Sequence, residues 1–157
     1  MLPRKFIHVG EIYIAKEPTE IVTVLGSCVG VCIYDRFEMI GGMNHYLLPL
    51  WNGNGLESPK YGNIAIPKLI KGMEDIGCMR RNMEAKIFGG ANIHKTQIEG
   101  HMIGKKNIMI AKEILAEYRI PLKAEDTGGY NGRRIMMVTD TNKIMLKYAK
   151  NEMFDGN

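Results

Sequence analysis

The sequence has little cysteine, and its three cysteines are an odd number without the spacing of a disulfide framework. Small secreted disulfide scaffolds are therefore excluded, and a reducing compartment is expected. Long hydrophobic runs are also missing, because no apolar stretch approaches the roughly 20 residues that a membrane-spanning helix needs. Residues 1–5 are not followed by an apolar run of signal-peptide length. These absences predict a cytoplasmic protein without membrane insertion.

Metal-ligand spacing and a strong charge bias are absent as well. None of the four histidines stands four residues from another, and there is no C-x-x-C pair. We therefore predict no metal and no other cofactor. The net charge is only +4, from 21 basic and 17 acidic side chains that interleave along the chain. Such a scattered excess is typical of a solvated surface, so nucleic acid is not the expected partner.

The composition is that of a globular protein, with 45% hydrophobic and 24% charged residues, and the length suits a single domain over residues 1–157. Apolar positions at helical spacing predict two helices, over 63–76 and 104–118. β-Branched and apolar segments predict strands over 6–15, 21–25, 28–34, 39–48, 84–88, 121–126, 133–139 and 143–149. Strict βαβ alternation is missing, so an α+β layered fold of mixed or antiparallel strands is expected.

The glycine-serine turn before Cys28 is the most informative feature of the sequence. Gly26 and Ser27 bring the cysteine to the mouth of an apolar strand. A structural cysteine needs no such turn. A nucleophilic one does, because the turn exposes the sulfur and lets backbone N–H groups approach a substrate oxygen. We therefore predict a cysteine-dependent hydrolase or amidase.

His45, seventeen residues after Cys28, is the candidate base. It follows Gly41 and Gly42 on a strand that we expect to pair with the strand bearing Cys28. The alternative is a histidine that only makes a hydrogen bond within its strand. Cys32 would lie about 13 Å from Cys28 along the same strand. That is too far for a disulfide, so Cys32, like Cys78, is predicted to be a core residue.

Four segments, in this order, resemble the CheD family of chemoreceptor glutamine deamidases: LGSCV at 25–29, GMNH at 42–45, GGA at 89–91 and AEDTGG at 124–129. The resemblance covers residues 6–148. It implies a cytoplasmic enzyme that converts selected glutamines of methyl-accepting chemotaxis receptors to glutamate and releases ammonia. It also implies a fold similar to the catalytic domain of the cytotoxic necrotising factor toxins, a β-sandwich-like core with two main flanking helices.

By position, the resemblance makes Cys28 the nucleophile and His45 the general base. The family's orienting threonine can lie six residues before the cysteine, where this chain has Val22, with Thr23 next to it. Thr23 is therefore the candidate third member. Asn44 or a backbone carbonyl could support the imidazole instead, and the N–H groups near Gly26, Ser27 and Cys28 would hold the oxyanion.

Two other functions are compatible with these residues. In some CheD proteins a second partner is CheC, a phosphatase of the response regulator, so an adaptor that stimulates a CheC-type phosphatase is the alternative to an enzyme. A basic nucleic-acid binder is the third hypothesis, and it would show steep salt dependence. The loop 51–62 and the turn 89–95 are expected docking surfaces for a receptor because of their length and glycine content.

Overall fold

The computed structural model describes residues 1–98 and 102–150, which contain nine strands and two α-helices. In chain order these are β1 (Arg4–Phe6), β2 (Ile12–Ala15), β3 (Glu20–Leu25), β4 (Val29–Asp35), β5 (Ile40–Asn44), α1 (Gly62–Asp75), β6 (Met83–Gly89), α2 (Ile103–Glu117), β7 (Leu122–Thr127), β8 (Arg133–Val138) and β9 (Lys143–Tyr148). No helix in the described part of the chain is long and apolar enough to cross a membrane.

The strands form two sheets. The four-stranded sheet has the order β1-β3-β8-β9, and the five-stranded sheet has the order β2-β5-β4-β6-β7. Pairing is parallel between β1 and β3 and between β6 and β7, and antiparallel elsewhere in both sheets. The predicted α+β layered fold with mixed sheets and two helices is confirmed. The likeness to the necrotising factor domain stays a prediction.

Strand β4 explains why the layers stack as they do, because all seven of its residues are buried. Successive side chains of a strand point to opposite faces. Val31 and Ile33 therefore belong to the core beneath the helices, whereas Cys32 and Tyr34 belong to the core between the two sheets. The five-stranded sheet is thus the middle layer of the molecule, covered on both faces.

Both helices bury one apolar stripe on the middle layer, and each lies within one residue of its predicted bounds. In α1 the buried residues include Ile66, Leu69 and Met73, which follow the i, i+3 and i+4 spacing of an amphipathic helix. The buried face of α2 is not entirely apolar, because it contains the polar residue Asn107 beside Ala111, Ile114 and Leu115.

The continuous strand predicted over 6–15 is wrong. The segment forms the end of β1 in one sheet and all of β2 in the other, with a turn between them. Gly10 makes the break, because it has φ of 83°, and its N–H donates to the carbonyl of His45. The predicted strand 39–48 also ends early, at Asn44, so His45 lies immediately after β5.

Candidate active site

Cys28 lies where the chain passes from one sheet to the other. The turn 26–28 connects β3 of the four-stranded sheet to β4 of the five-stranded sheet. The Cys28 side chain packs in the core between the sheets and keeps 9% of its surface exposed. The Cys28 thiol is therefore held by both layers, and its sulfur is at the edge of the protein interior.

All three carbonyls of the turn accept a hydrogen bond from a neighbouring element. The N–H of Ala91 donates to the carbonyl of Gly26 over 3.0 Å, and the N–H of Gly90 donates to that of Cys28 over 2.8 Å. The side-chain amide of Asn107 donates to the carbonyl of Ser27 over 3.0 Å. The orientation of each peptide plane in the turn is therefore fixed from outside the turn.

Gly89 allows the segment after β6 to come this close. Its φ is 103°, in the left-handed region that favours glycine, and an added Cβ would overlap the carbonyl oxygen of Cys28. Arg133 contacts the same segment, because its guanidinium donates to the carbonyl of Gly89. Its guanidinium is buried, pairs with Asp126 over 2.8 Å and donates to the carbonyl of Gly128. The run 124–129, which was one of the four segments of the resemblance, thus contributes support for the turn.

His45 is held by Thr23 across the space between the sheets. The Thr23 Oγ1 lies 2.7 Å from His45 Nδ1 and also donates to the backbone carbonyl of Ile7 over 2.8 Å. A hydroxyl has one proton to donate. Since that proton goes to Ile7, Nδ1 must carry its own proton and donate it to Thr23. Nε2 is then the unprotonated nitrogen, and it is buried without a partner among the described residues.

The strand register brings Cys28 and His45 onto the same face. Cys32 pairs with Met43 and Val29 with Tyr46, so continuing this register places Leu47 opposite Cys28. His45 is two residues before Leu47 and is therefore the diagonal neighbour of Cys28. Such neighbours have α-carbons about 7–8 Å apart. Both side chains enter the space between the sheets, and the predicted pairing of these two strands is confirmed.

Burial sets the protonation states of this pair. It raises the pKa of the Cys28 thiol to about 11, against a smaller lowering by the residue's own backbone N–H. Burial also lowers the pKa of the His45 imidazole to about 4, helped by His8, while Glu11 acts in the opposite direction. At neutral pH the free protein therefore holds a thiol and a neutral imidazole rather than an ion pair.

The remaining predicted residues lie near the turn in different roles. Ser27 lines a cleft of about 340 Å³ together with Asn92, Ile93 and Gly104. Gly26 packs beside Ile93. Asn44 is buried, and its side-chain Oδ1 accepts a hydrogen bond from the N–H of Val31. This side-chain oxygen therefore supports the β4–β5 pair and not the imidazole.

A second cleft, of about 490 Å³, opens onto His45. Its lining includes His45, Thr23, Ile7, His8 and Lys60. No cluster of three or more potential metal ligands occurs in residues 1–98 and 102–150. The arrangement is that of a thiol, a neutral base and an orienting hydroxyl.

Sequence reasoning missed two groups that shape this site. The backbone carbonyl of Ile7 has no signal in the sequence, because it depends on β1 lying beside β3. Asn107 does have a signal, since it is a polar residue on the otherwise apolar face of α2, between Gly104 and Ala111. A buried amide in that position needs hydrogen-bond partners, and the turn supplies one of them.

Comparisons with known proteins agree on one family. The family model described as CheD chemotactic sensory transduction matches residues 47–148. A Sulfurimonas denitrificans protein is 53% identical over 152 residues, covering 96% of this chain and 97% of its own. A Trichlorobacter lovleyi protein is 45% identical over 147 residues (94% and 91%), and one from Thermococcus kodakarensis 40% over 150 residues (92% and 92%). Each bears the name "Probable chemoreceptor glutamine deamidase CheD".

Proposed function

The chain belongs to the CheD family, and from that premise we propose that it deamidates glutamine side chains of methyl-accepting chemotaxis receptors in the cytoplasm. Cys28 is the nucleophile, His45 the general base and acid, and Thr23 the residue that orients the imidazole. The observation that carries this assignment is the chain of hydrogen bonds from His45 Nδ1 through Thr23 to the Ile7 carbonyl. It leaves Nε2 free to take a proton on the face that Cys28 shares.

The first half of the reaction forms a thioester. As the Cys28 sulfur attacks the carboxamide carbon, its proton passes to His45 Nε2, and the carbonyl oxygen becomes an oxyanion. The N–H of Cys28, with that of Ser27, stabilises this charge. The imidazolium then returns its proton to the amine, the C–N bond breaks, and ammonia leaves.

The second half consumes water. Neutral His45 takes a proton from a water molecule, whose oxygen attacks the thioester carbon, and the C–S bond breaks with return of a proton to the sulfur. Glutamine and water thus become glutamate and ammonia. The raised pKa of Cys28 and the lowered pKa of His45 keep the proton on sulfur in the free protein, so it moves during the attack rather than before it.

The loop 51–62 is the part of the surface that we propose receives the receptor. Its far end is tied to the chain just after His45, because Leu47 and Leu48 donate their N–H groups to the carbonyl of Lys60. Leu56 is largely exposed on it, and Leu50, directly before the loop, is exposed as well. Apolar side chains presented next to the base suit contact with a helical receptor surface.

Intact-mass analysis of a receptor cytoplasmic fragment tests the proposed function. Incubation with the wild type should raise the fragment mass by the difference between a carboxyl and a carboxamide for each converted glutamine, with matching ammonia release. Cys28→Ala and His45→Ala should abolish both signals. Cys78→Ala is the matched control, because it removes a buried cysteine outside the site and should leave conversion unchanged. Conversion by Cys28→Ala at the wild-type rate would exclude the thioester route.

A CheC-type phosphatase is the second partner that we propose, on family membership alone. Stimulation of such a phosphatase by Cys28→Ala at the wild-type level would show that binding is separate from catalysis.

A further inference from the structure

We propose that Asn107 is a positioning residue that sets the direction of the Cys28 backbone N–H and the spacing between the nucleophile and base segments. The inference rests on the proposed role of Cys28. Asn107 lies in the first half of α2 and is completely buried. Its action is through the backbone of the two segments that carry the reacting side chains.

The amide of Asn107 bridges those two segments. Its Nδ2 donates one hydrogen bond to the carbonyl of Ser27 and another to the carbonyl of Leu47, each over 3.0 Å. Only the NH₂ end of an amide can satisfy two carbonyl oxygens, so the chemistry of the partners fixes which way the amide points. The backbone carbonyl of Asn107 itself accepts from the Tyr46 hydroxyl over 2.6 Å.

The hydrogen bond to the Ser27 carbonyl also determines the direction of the Cys28 N–H. The Ser27–Cys28 peptide is trans and planar, so its N–H points away from its C=O. Holding the Ser27 carbonyl toward α2 therefore directs the Cys28 N–H away from α2. That N–H interacts with the Cys28 sulfur. It consequently lies on the side where the substrate oxyanion forms once the sulfur has attacked.

The bond to Leu47 acts on the base. Leu47 follows His45 by two residues, and its register position is opposite Cys28. Because a single NH₂ group holds both carbonyls, the turn bearing the thiol and the chain bearing the imidazole cannot move apart without breaking one of these bonds. Asn107 also carries a cost, since its Oδ1 is buried without a partner among the described residues.

The variant Asn107→Leu tests this role, because leucine has nearly the same size, donates nothing and removes the unpaired oxygen. We expect kcat to fall by about 100-fold with KM little changed, since a misdirected oxyanion donor acts on the transition state. Alkylation of Cys28 at fixed pH should become about two- to tenfold slower, because the N–H that favours the thiolate is no longer directed toward the sulfur. Asn107→Asp, which keeps the shape, replaces it should the leucine variant not fold.

Asn142→Gly is the matched control. Asn142 is also a buried asparagine with an unpaired Oδ1, and glycine tolerates its φ of 65°. It lies between β8 and β9, at the end of β8 far from the Cys28 turn. This variant should lower the melting temperature and leave kcat and Cys28 alkylation at wild-type values.

The two arms separate this inference from the proposed function. A folded Asn107 variant with wild-type kcat and wild-type alkylation overturns the inference, as does an equal loss of kcat in Asn142→Gly. If the wild type releases no ammonia, the proposed function fails, and alkylation alone decides: slower labelling in Asn107→Leu supports the directing role, and unchanged labelling overturns it.

Discussion

His45 combines two properties, a fixed tautomer and a strongly lowered pKa. Thr23 and the Ile7 carbonyl determine which nitrogen carries the proton, and burial keeps the ring neutral. A neutral base with an available Nε2 can accept the thiol proton at any pH near neutrality. The cost is that an ion pair with Cys28 does not form in advance, so catalysis depends on how the substrate is placed.

Thr23→Val should expose the contribution of this orienting hydroxyl. Valine keeps the shape of threonine but neither accepts from Nδ1 nor donates to Ile7, so both tautomers and other ring orientations become accessible. We expect kcat for glutamine conversion to fall by about 10- to 100-fold, the range seen when the hydrogen-bond partner of a metal-ligating histidine is removed. Thr23→Ser keeps the hydroxyl and should retain most activity; a fully active Thr23→Val would show that the imidazole is oriented otherwise.

The residues around Cys28 differ in how far the sequence reveals them. The turn Gly26–Ser27 and the strand that leads to His45 are visible because glycine and histidine stand out against apolar neighbours. For the group that orients the His45 imidazole, the sequence leaves three candidates open: Thr23, Asn44 and a backbone carbonyl. The structure places both Thr23 and a carbonyl in one chain of hydrogen bonds, because β1 pairs in parallel with β3 and brings Ile7 alongside. Pairing of that kind joins distant segments and has no local pattern.

At the scale of elements, the crossing from β3 to β4 is supported by the start of the segment after β6. Gly89, Gly90 and Ala91 approach the turn closely enough for two backbone hydrogen bonds. The helices were predictable because their apolar spacing is regular. The break at Gly10 was not, because the residues on both sides of it read as one β-rich run. A single glycine within a strand pattern is compatible with either a bulge or a break.

Gly89→Ala should therefore damage catalysis more than stability alone would explain. The new Cβ would overlap the Cys28 carbonyl oxygen, and the turn would have to shift to relieve the contact. We expect kcat to fall by at least about tenfold, since small displacements of reacting groups have large effects on rate. Gly77→Ala is the control, because Gly77 has a similar φ of 107° with nothing within reach of the added Cβ. It should destabilise the protein while leaving kcat unchanged; equal losses in both variants would contradict the prediction.

At the scale of the whole molecule, the middle sheet joins the core between the sheets to the core beneath the helices. We propose that residues 1–157 form one domain and unfold in a single transition.

The stability of that domain should depend on pH through His45. The folded pKa is about 4 and the unfolded value about 6.5, so the unfolded chain binds more protons between these limits. The contribution of His45 to the free energy of unfolding is therefore fully present above pH 6.5 and is lost as the pH falls toward 4.

The comparison of wild type with His45→Gln isolates this effect, because carboxylates titrate alike in both proteins. We expect the free energy of unfolding of the wild type to drop by about 2–3 kcal/mol more than that of the variant between pH 6.5 and 4. Urea denaturation at a series of pH values measures it. His94→Gln, at an exposed position, should follow the wild type. Parallel curves for wild type and His45→Gln would mean that the imidazole is not held neutral by the fold.

The short strand β1 has a practical consequence for anyone who makes this protein. Pro3, directly before the strand, accepts through its carbonyl from the N–H of Glu20, and Ile7, directly after the strand, accepts from the Thr23 hydroxyl that contacts the imidazole. Trimming the first six residues, or fusing a bulky purification handle against them, would loosen that contact without touching any reacting group. Such a preparation should convert glutamine more slowly than the intact chain, because the hydroxyl of Thr23 would lose a fixed partner while Cys28 and His45 are unchanged.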